Sequence, residues 1–216
     1  MRKELIVLQV TIGAALIASC ANSVIPEAVE TVKTAASDVT SVSDSLVKTA
    51  VFNADGSVQQ PVGWRKWVFV GAPLTPNALN GGTAPFPEYH NVYIERTAFA
   101  EYEKTGIWPE GTQVAKELTL VYENNNDGNG ATSEVSGVGY QQGEFQGLEL
   151  SVKDSARFPD MPGGWAYFSF GHQPQPYEET AKAFPAESCN ACHEANAADD
   201  FVFTQFYPVL QAAKGN

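Results

Sequence analysis

The sequence predicts an α+β chain, mainly β, that closes in a helical segment at its carboxyl end. Short runs of β-branched and aromatic residues read as strands: Trp67–Val70, Asn91–Ile94, Val114–Tyr122, Phe145–Val152 and Trp165–Phe170. Gly, Pro and Asn clusters separate them, notably Pro73–Pro85 and Asn124–Gly130. After these strands, about Glu178–Ala213 reads as mainly helical. Every Phe, Trp and Tyr lies at or beyond Phe52, so the core-forming residues belong to one domain, 51–216.

The elements follow in order. Arg2 and Lys3 precede the apolar run Leu5–Ala18, the pattern of an export leader over residues 1–19, too short for a membrane span. Ile17-Ala18-Ser19-Cys20 resembles a bacterial lipobox, with Cys20 as the lipidated first residue of the mature chain. Ordinary cleavage at Ser19-Cys20-Ala21 is the alternative. Both predict export to the periplasm, the first on a lipid anchor in the outer membrane. Residues 20–50 read as a flexible tether or, from the spacing of Val32, Ala35, Val39, Val42 and Leu46, as a weak amphipathic helix. Within the domain, Thr97–Lys104 reads as a short helix closed by Gly106. The Asn-, Gly- and Ser-rich stretch Tyr122–Gln142 reads as an extended loop, and His172 falls in the loop Gly171–Pro176.

The net charge of −12 argues against nucleic-acid binding, which wants a basic face, and suits docking to a basic redox partner. The chain has three cysteines. One is Cys20, directly after the leader. The other two open Cys189-Asn190-Ala191-Cys192-His193, a C-x-x-C-H run, the attachment pattern of a c-type haem. On a helix, positions i, i+3 and i+4 share a face, so both thiols reach the porphyrin vinyl groups while His193 supplies the proximal iron ligand. A thioredoxin-like redox pair would sit near a βαβ pattern, which is absent; a structural zinc site would need His90 and His172 as its remaining ligands. Only 23 residues follow His193, and none is Met or His. The one internal methionine, Met161, sits in the turn-like Pro159–Gly163. The sixth iron position therefore reads as open, which favours binding of small molecules over simple electron transfer.

Several runs carry a family resemblance: Trp67-Val68-Phe69-Val70-Gly71, Thr75–Asn80, His90–Ile94, Gly111–Leu118, Gly147-Leu148-Glu149, Val152–Ser155 and Phe203–Leu210. In order, and with the haem motif, they resemble the cytochrome P-460 family over about Phe52–Ala213. That family is similar to cytochrome c′-beta and unlike the four-helix cytochrome c′. The resemblance implies a strongly bent antiparallel sheet, a homodimer, and one five-coordinate haem c with a lysine cross-linked to a porphyrin meso carbon.

Lys116 matches the cross-linking lysine. Strand alternation puts it on the face of Val114, Leu118 and Leu120, where burial favours the free amine that bond formation needs; an edge lysine snorkelling to water is the other reading. Glu149 matches the distal carboxylate and shares a face, by alternation, with Phe145 and Gly147, the glycine leaving room for a ligand or porphyrin edge. His90 falls where the family carries an arginine. It reads as a hydrogen-bond partner in the distal pocket, as an iron ligand, or as a polar residue at a strand end.

The resemblance implies oxidation of hydroxylamine to nitrous oxide or nitric oxide, with Glu149 as proton acceptor and a small cytochrome c as electron acceptor. A nitric oxide binding protein of the cytochrome c′-beta kind is the second reading, with Phe99, Phe145 and the Trp165–Phe170 strand as its apolar surface. A lipid-tethered electron carrier with His90 or Met161 as sixth ligand is the third.

Overall fold

Nine strands and three α-helices follow one another among the described residues: β1 (Val58–Gln59), β2 (Val68–Gly71), β3 (Glu88–Ile94), α1 (Arg96–Thr105), β4 (Gln113–Val121), β5 (Thr132–Glu134), β6 (Gly137–Gly139), β7 (Gln142–Lys153), β8 (Trp165–Ser169), β9 (Thr180–Ala181), α2 (Cys189–Asn196) and α3 (Pro208–Ala213). The computed structural model describes residues 48–122 and 132–214. The leader and residues 20–47 of the tether lie outside the described residues, as does 123–131 of the long loop. Among the described residues no helix is long and apolar enough to cross a membrane.

β2, β3, β4, β7 and β8 form one sheet in that order, each pair antiparallel. Thus every strand read from the sequence is present within a few residues, and the α+β, mainly β class holds. β5 and β6 form a separate hairpin inside the predicted loop between β4 and β7. The helix α1 starts at Glu95, whose carboxylate accepts from the backbone N–H of Thr97 and Ala98, and stops at Gly106 in a left-handed conformation (φ 70°). The carboxyl segment departs from the expectation. Residues 178–188 are not helical; β9 within them pairs with β1, and α2 begins only at the haem motif. Pro185 favours this extended approach, since the residue before a proline, Phe184, is pushed away from helical backbone.

The sheet separates two cores because alternate residues point to opposite faces. Ala115, Leu148, Leu150, Val152, Ala166, Phe168 and Phe170 pack on one side with Val58 and Ala181. Val92, Ile94, Trp165 and Tyr167 pack on the other with Ala98, Tyr102 and Trp108, and with Leu210 of α3. This second face carries the functional residues.

The alternation breaks once where it matters. Leu118 pairs with Gly147, but Thr119 pairs with Phe145, leaving Gln146 over as a bulge. Phe145 is thereby turned to the face of Glu117 and Thr119, where its ring lies 4.5 Å from the Arg65 guanidinium. It does not share the face of Glu149, as simple alternation predicted. Gly147 also serves a different purpose from the one expected. A Cβ there would come within 3.1 Å of the Gly171 carbonyl and 3.3 Å of Leu118 Cδ1, so the loop after β8 fills the room. Gly147→Ala is accordingly expected to cost about 1–3 kcal/mol by overpacking, read as a lowered urea midpoint. An unchanged midpoint would show that the loop simply moves aside.

Candidate functional site

The register of three strands builds one wall of the site. Lys116 of β4 lies directly between Val92 of β3 and Glu149 of β7, and His90 is opposite Leu118. His90, Val92 and Ile94, Val114 and Lys116, Glu149 and Ser151, and Trp165 and Tyr167 all line a single cavity of about 650 Å³. The opposite wall is α2 and the chain after it, which contribute Cys189, Cys192 and His193 with Phe201, Phe203 and Phe206. All six residues singled out from the sequence thus meet in one space. Met161 is not among the lining residues, and neither is Phe99 or Phe145. The aromatic surface comes instead from Phe86, Trp165, Tyr167, Phe184 and the Phe201–Phe206 stretch. Trp165 and Tyr167 were legible as alternate residues of a strand. The others sit on irregular backbone, where no period marks them.

Lys116 does not enjoy the apolar burial that alternation suggested. Its Nζ lies 2.6 Å from Glu149 Oε2, both side chains about 30 % exposed, and 5.1 Å from the Phe86 ring centroid. The unlike charges face each other across the β4–β7 ladder, inside the cavity.

His90 is held differently. Burial pushes its pKa down to about 4, with the nearby Lys116 charge acting in the same direction, against a hydrogen bond to the Phe86 backbone and the Glu149 charge. Nε2 is buried without a partner, so the Phe86 bond falls on Nδ1. The neutral ring therefore gives its one N–H to the Phe86 carbonyl and keeps an unshared acceptor on Nε2.

The sign of the linkage follows. An unfolded His90 takes up a proton below about pH 6.5, whereas the folded ring resists it down to about pH 4. Its contribution to stability is full above pH 6.5 and falls away as the pH drops toward 4. His90→Phe is expected to flatten the decline of the urea midpoint across that window; a decline equal to that of the unaltered protein would exclude His90 as its source.

His172, outside the cavity wall, is also engaged. Its Nε2 lies 2.6 Å from Oε1 of Glu88, a buried carboxylate at the start of β3. His172, read only as a loop residue, belongs to this pair.

The α2 wall has the chemistry of a haem c site. Cys189 and Cys192 are free thiols one helical turn apart. His193 donates from Nδ1 to the Phe201 carbonyl at 2.7 Å, which fixes the tautomer and leaves Nε2 as the ligand atom. Burial lowers its pKa and so favours the neutral, ligating form. The ring sits between Tyr167 and Phe203, at 4.4 and 4.6 Å between centroids. Two thiols and one oriented imidazole in an aromatic-walled cavity fit a single covalently held haem.

No curated protein matches the chain. The family model for Cytochrome P460 matches residues 61–204, a span that runs from the first turn before β2 through the haem motif. That family implies a haem c cofactor, and the chain belongs to the Cytochrome P460 family.

Proposed function

We propose that this chain is an exported haem c enzyme that oxidises hydroxylamine, using a haem that is also bonded to Lys116. The observation that carries the reading is the Lys116–Glu149 pair, 2.6 Å apart and turned into the cavity that receives the haem motif from the other side. Cys189 and Cys192 would hold the porphyrin by thioether bonds, His193 Nε2 the iron, and Lys116 Nζ the additional porphyrin bond. The bound haem supplies a redox-active iron that withdraws electrons from the nitrogen of hydroxylamine.

Oxidation at nitrogen releases protons with the electrons. Glu149 is the carboxylate at hand to accept them, and bonding of Lys116 to the porphyrin would take Nζ out of the ion pair and leave that carboxylate free to act as a base. His90 lines the same cavity and is a second candidate contact for a ligand bearing O–H or N–H groups. Electrons leave to an external acceptor, for which a small basic cytochrome c suits the net charge of −12. The periplasmic setting, the Cys20 lipid anchor and the homodimer belong to the same proposal, on the strength of the leader and the resemblance.

Anaerobic addition of hydroxylamine to the haem-loaded protein should reduce a soluble electron acceptor and yield nitrous oxide or nitric oxide. Absence of acceptor reduction would defeat the enzyme. One observation favours a second reading, nitric oxide binding without turnover: the aromatic wall of Phe86, Trp165, Tyr167, Phe184 and Phe203. Tight nitric oxide binding with no acceptor reduction would select it.

A further inference from the structure

The chain turns sharply after α2 at Asp199-Asp200-Phe201-Val202. Val202 N–H donates to the Asp199 carbonyl at 2.7 Å, and φ is 42° at Asp200 and 65° at Phe201. Two successive positive φ values are the pattern of a type I′ turn, whose central pair is ordinarily Asn-Gly or Asp-Gly. Asp is tolerated in the first place. Phe in the second is an outlier, and among the described residues these two are the only non-glycine residues with positive φ. Such a conformation persists only where its surroundings over-determine it.

The surroundings are specific. Asp200 Oδ2 accepts from Lys153 Nζ at 2.7 Å and Oδ1 from the Trp165 indole N–H at 3.3 Å. Lys153 is itself fixed, donating to the Trp108 carbonyl at 2.9 Å with its side chain 14 % exposed. The Phe201 ring lies so close over Gly163 that a Cβ there would overlap it. What this arrangement aims is the Phe201 carbonyl, which accepts from His193 Nδ1 at 2.7 Å and from the Tyr167 hydroxyl at 3.4 Å.

We propose that Asp200, clamped by Lys153 and Trp165, is a positioning residue: it holds a disfavoured turn that points the Phe201 carbonyl at His193, and so sets the strength of the iron–histidine bond. The inference rests on His193 being the iron ligand. An Nδ1–H given to a well-placed acceptor makes Nε2 a more basic ligand, which raises the iron–histidine stretching frequency and lowers the reduction potential. Asp200 touches neither iron nor ligand; it acts through the turn.

The test uses resonance Raman spectroscopy of the ferrous holoprotein together with a redox titration. Asp200→Ala removes the clamp and should shift the iron–histidine stretch downward and the potential upward. Asp200→Asn loses the same charge but keeps an acceptor for the indole N–H, and should hold the stretch nearer that of the unaltered protein. A potential shift common to both variants then reports charge, and a stretch shift larger in Ala reports positioning. Should the Ala variant fail to accumulate as holoprotein, Asp200→Asn and Lys153→Gln carry the comparison, with the larger downshift expected in whichever loses more of the clamp. An unchanged stretch in all variants, even with a lowered melting temperature, would overturn the proposal and leave Asp200 a purely structural residue. Absence of any iron–histidine stretch in the unaltered ferrous protein would instead overturn a five-coordinate iron held by His193, a separate failure.

Discussion

Glu149→Gln is expected to lower kcat for hydroxylamine oxidation by about 10²- to 10⁴-fold, the range associated with loss of a positioned general base. The amide keeps the shape of the carboxylate, but it cannot take a proton. Covalent haem content should be unchanged, because Cys189, Cys192 and His193 lie on the opposite wall of the cavity. Nitric oxide binding, which releases no proton, should be altered little. This contrast separates the two functional readings within one variant. A kcat within a few-fold of the unaltered enzyme would remove Glu149 from the chemistry and would shift attention to His90 on the same wall. His90 offers only an acceptor while neutral, and holding it protonated near neutrality would mean working against burial and the Lys116 charge.

The largest effect on stability is expected from the opposite face of the same strand. Glu117, next to Lys116, is fully buried, and its carboxylate takes the guanidinium of Arg65 through both oxygens and the Tyr177 hydroxyl at 3.0 Å. Arg65 is half-exposed and covered by Trp64 and Phe145. Arg65→Met would leave an uncompensated carboxylate in the core, a loss of about 3 kcal/mol at the lower end of what breaking a buried pair costs, since water can reach the gap. Urea unfolding should show it as a reduced midpoint at constant slope. Arg65→Met with Glu117→Leu should recover part of the loss, because an apolar replacement of the whole pair removes the stranded charge. If the single variant is as stable as the unaltered chain, Glu117 is not held by Arg65.

These two residues mark the limits of what the sequence discloses. Strand alternation placed Lys116 on the cavity face correctly, and by the same rule Glu117 had to face the other way. Nothing in the pattern said that the other face was also a core, because a charged residue there reads as solvated. The distant partners Arg65 and Tyr177 supply the explanation, and they come from segments 52 and 60 residues away. Phe145 failed for a different reason. A single extra residue at Gln146 reverses the face of Phe145, and simple alternation does not count that residue. The turn at Asp199–Val202 was the hardest to foresee. Asp-Phe is a poor pair for two left-handed residues, and only tertiary contacts from Lys153, Trp165 and Gly163 make it tenable. By contrast, α1 was legible from its ends, with Gly106 as its stop, and the haem motif from its spacing alone.

The central claim is that two walls, one bearing Lys116 and the other Cys189, Cys192 and His193, close on a single porphyrin. A tryptic peptide map of the purified holoprotein, with its intact mass, tests this most directly. The account predicts one product in which the Lys116 peptide is joined through haem to the peptide carrying Cys189 and Cys192. A haem carried by the cysteine peptide alone, with the Lys116 peptide recovered unmodified, would contradict it.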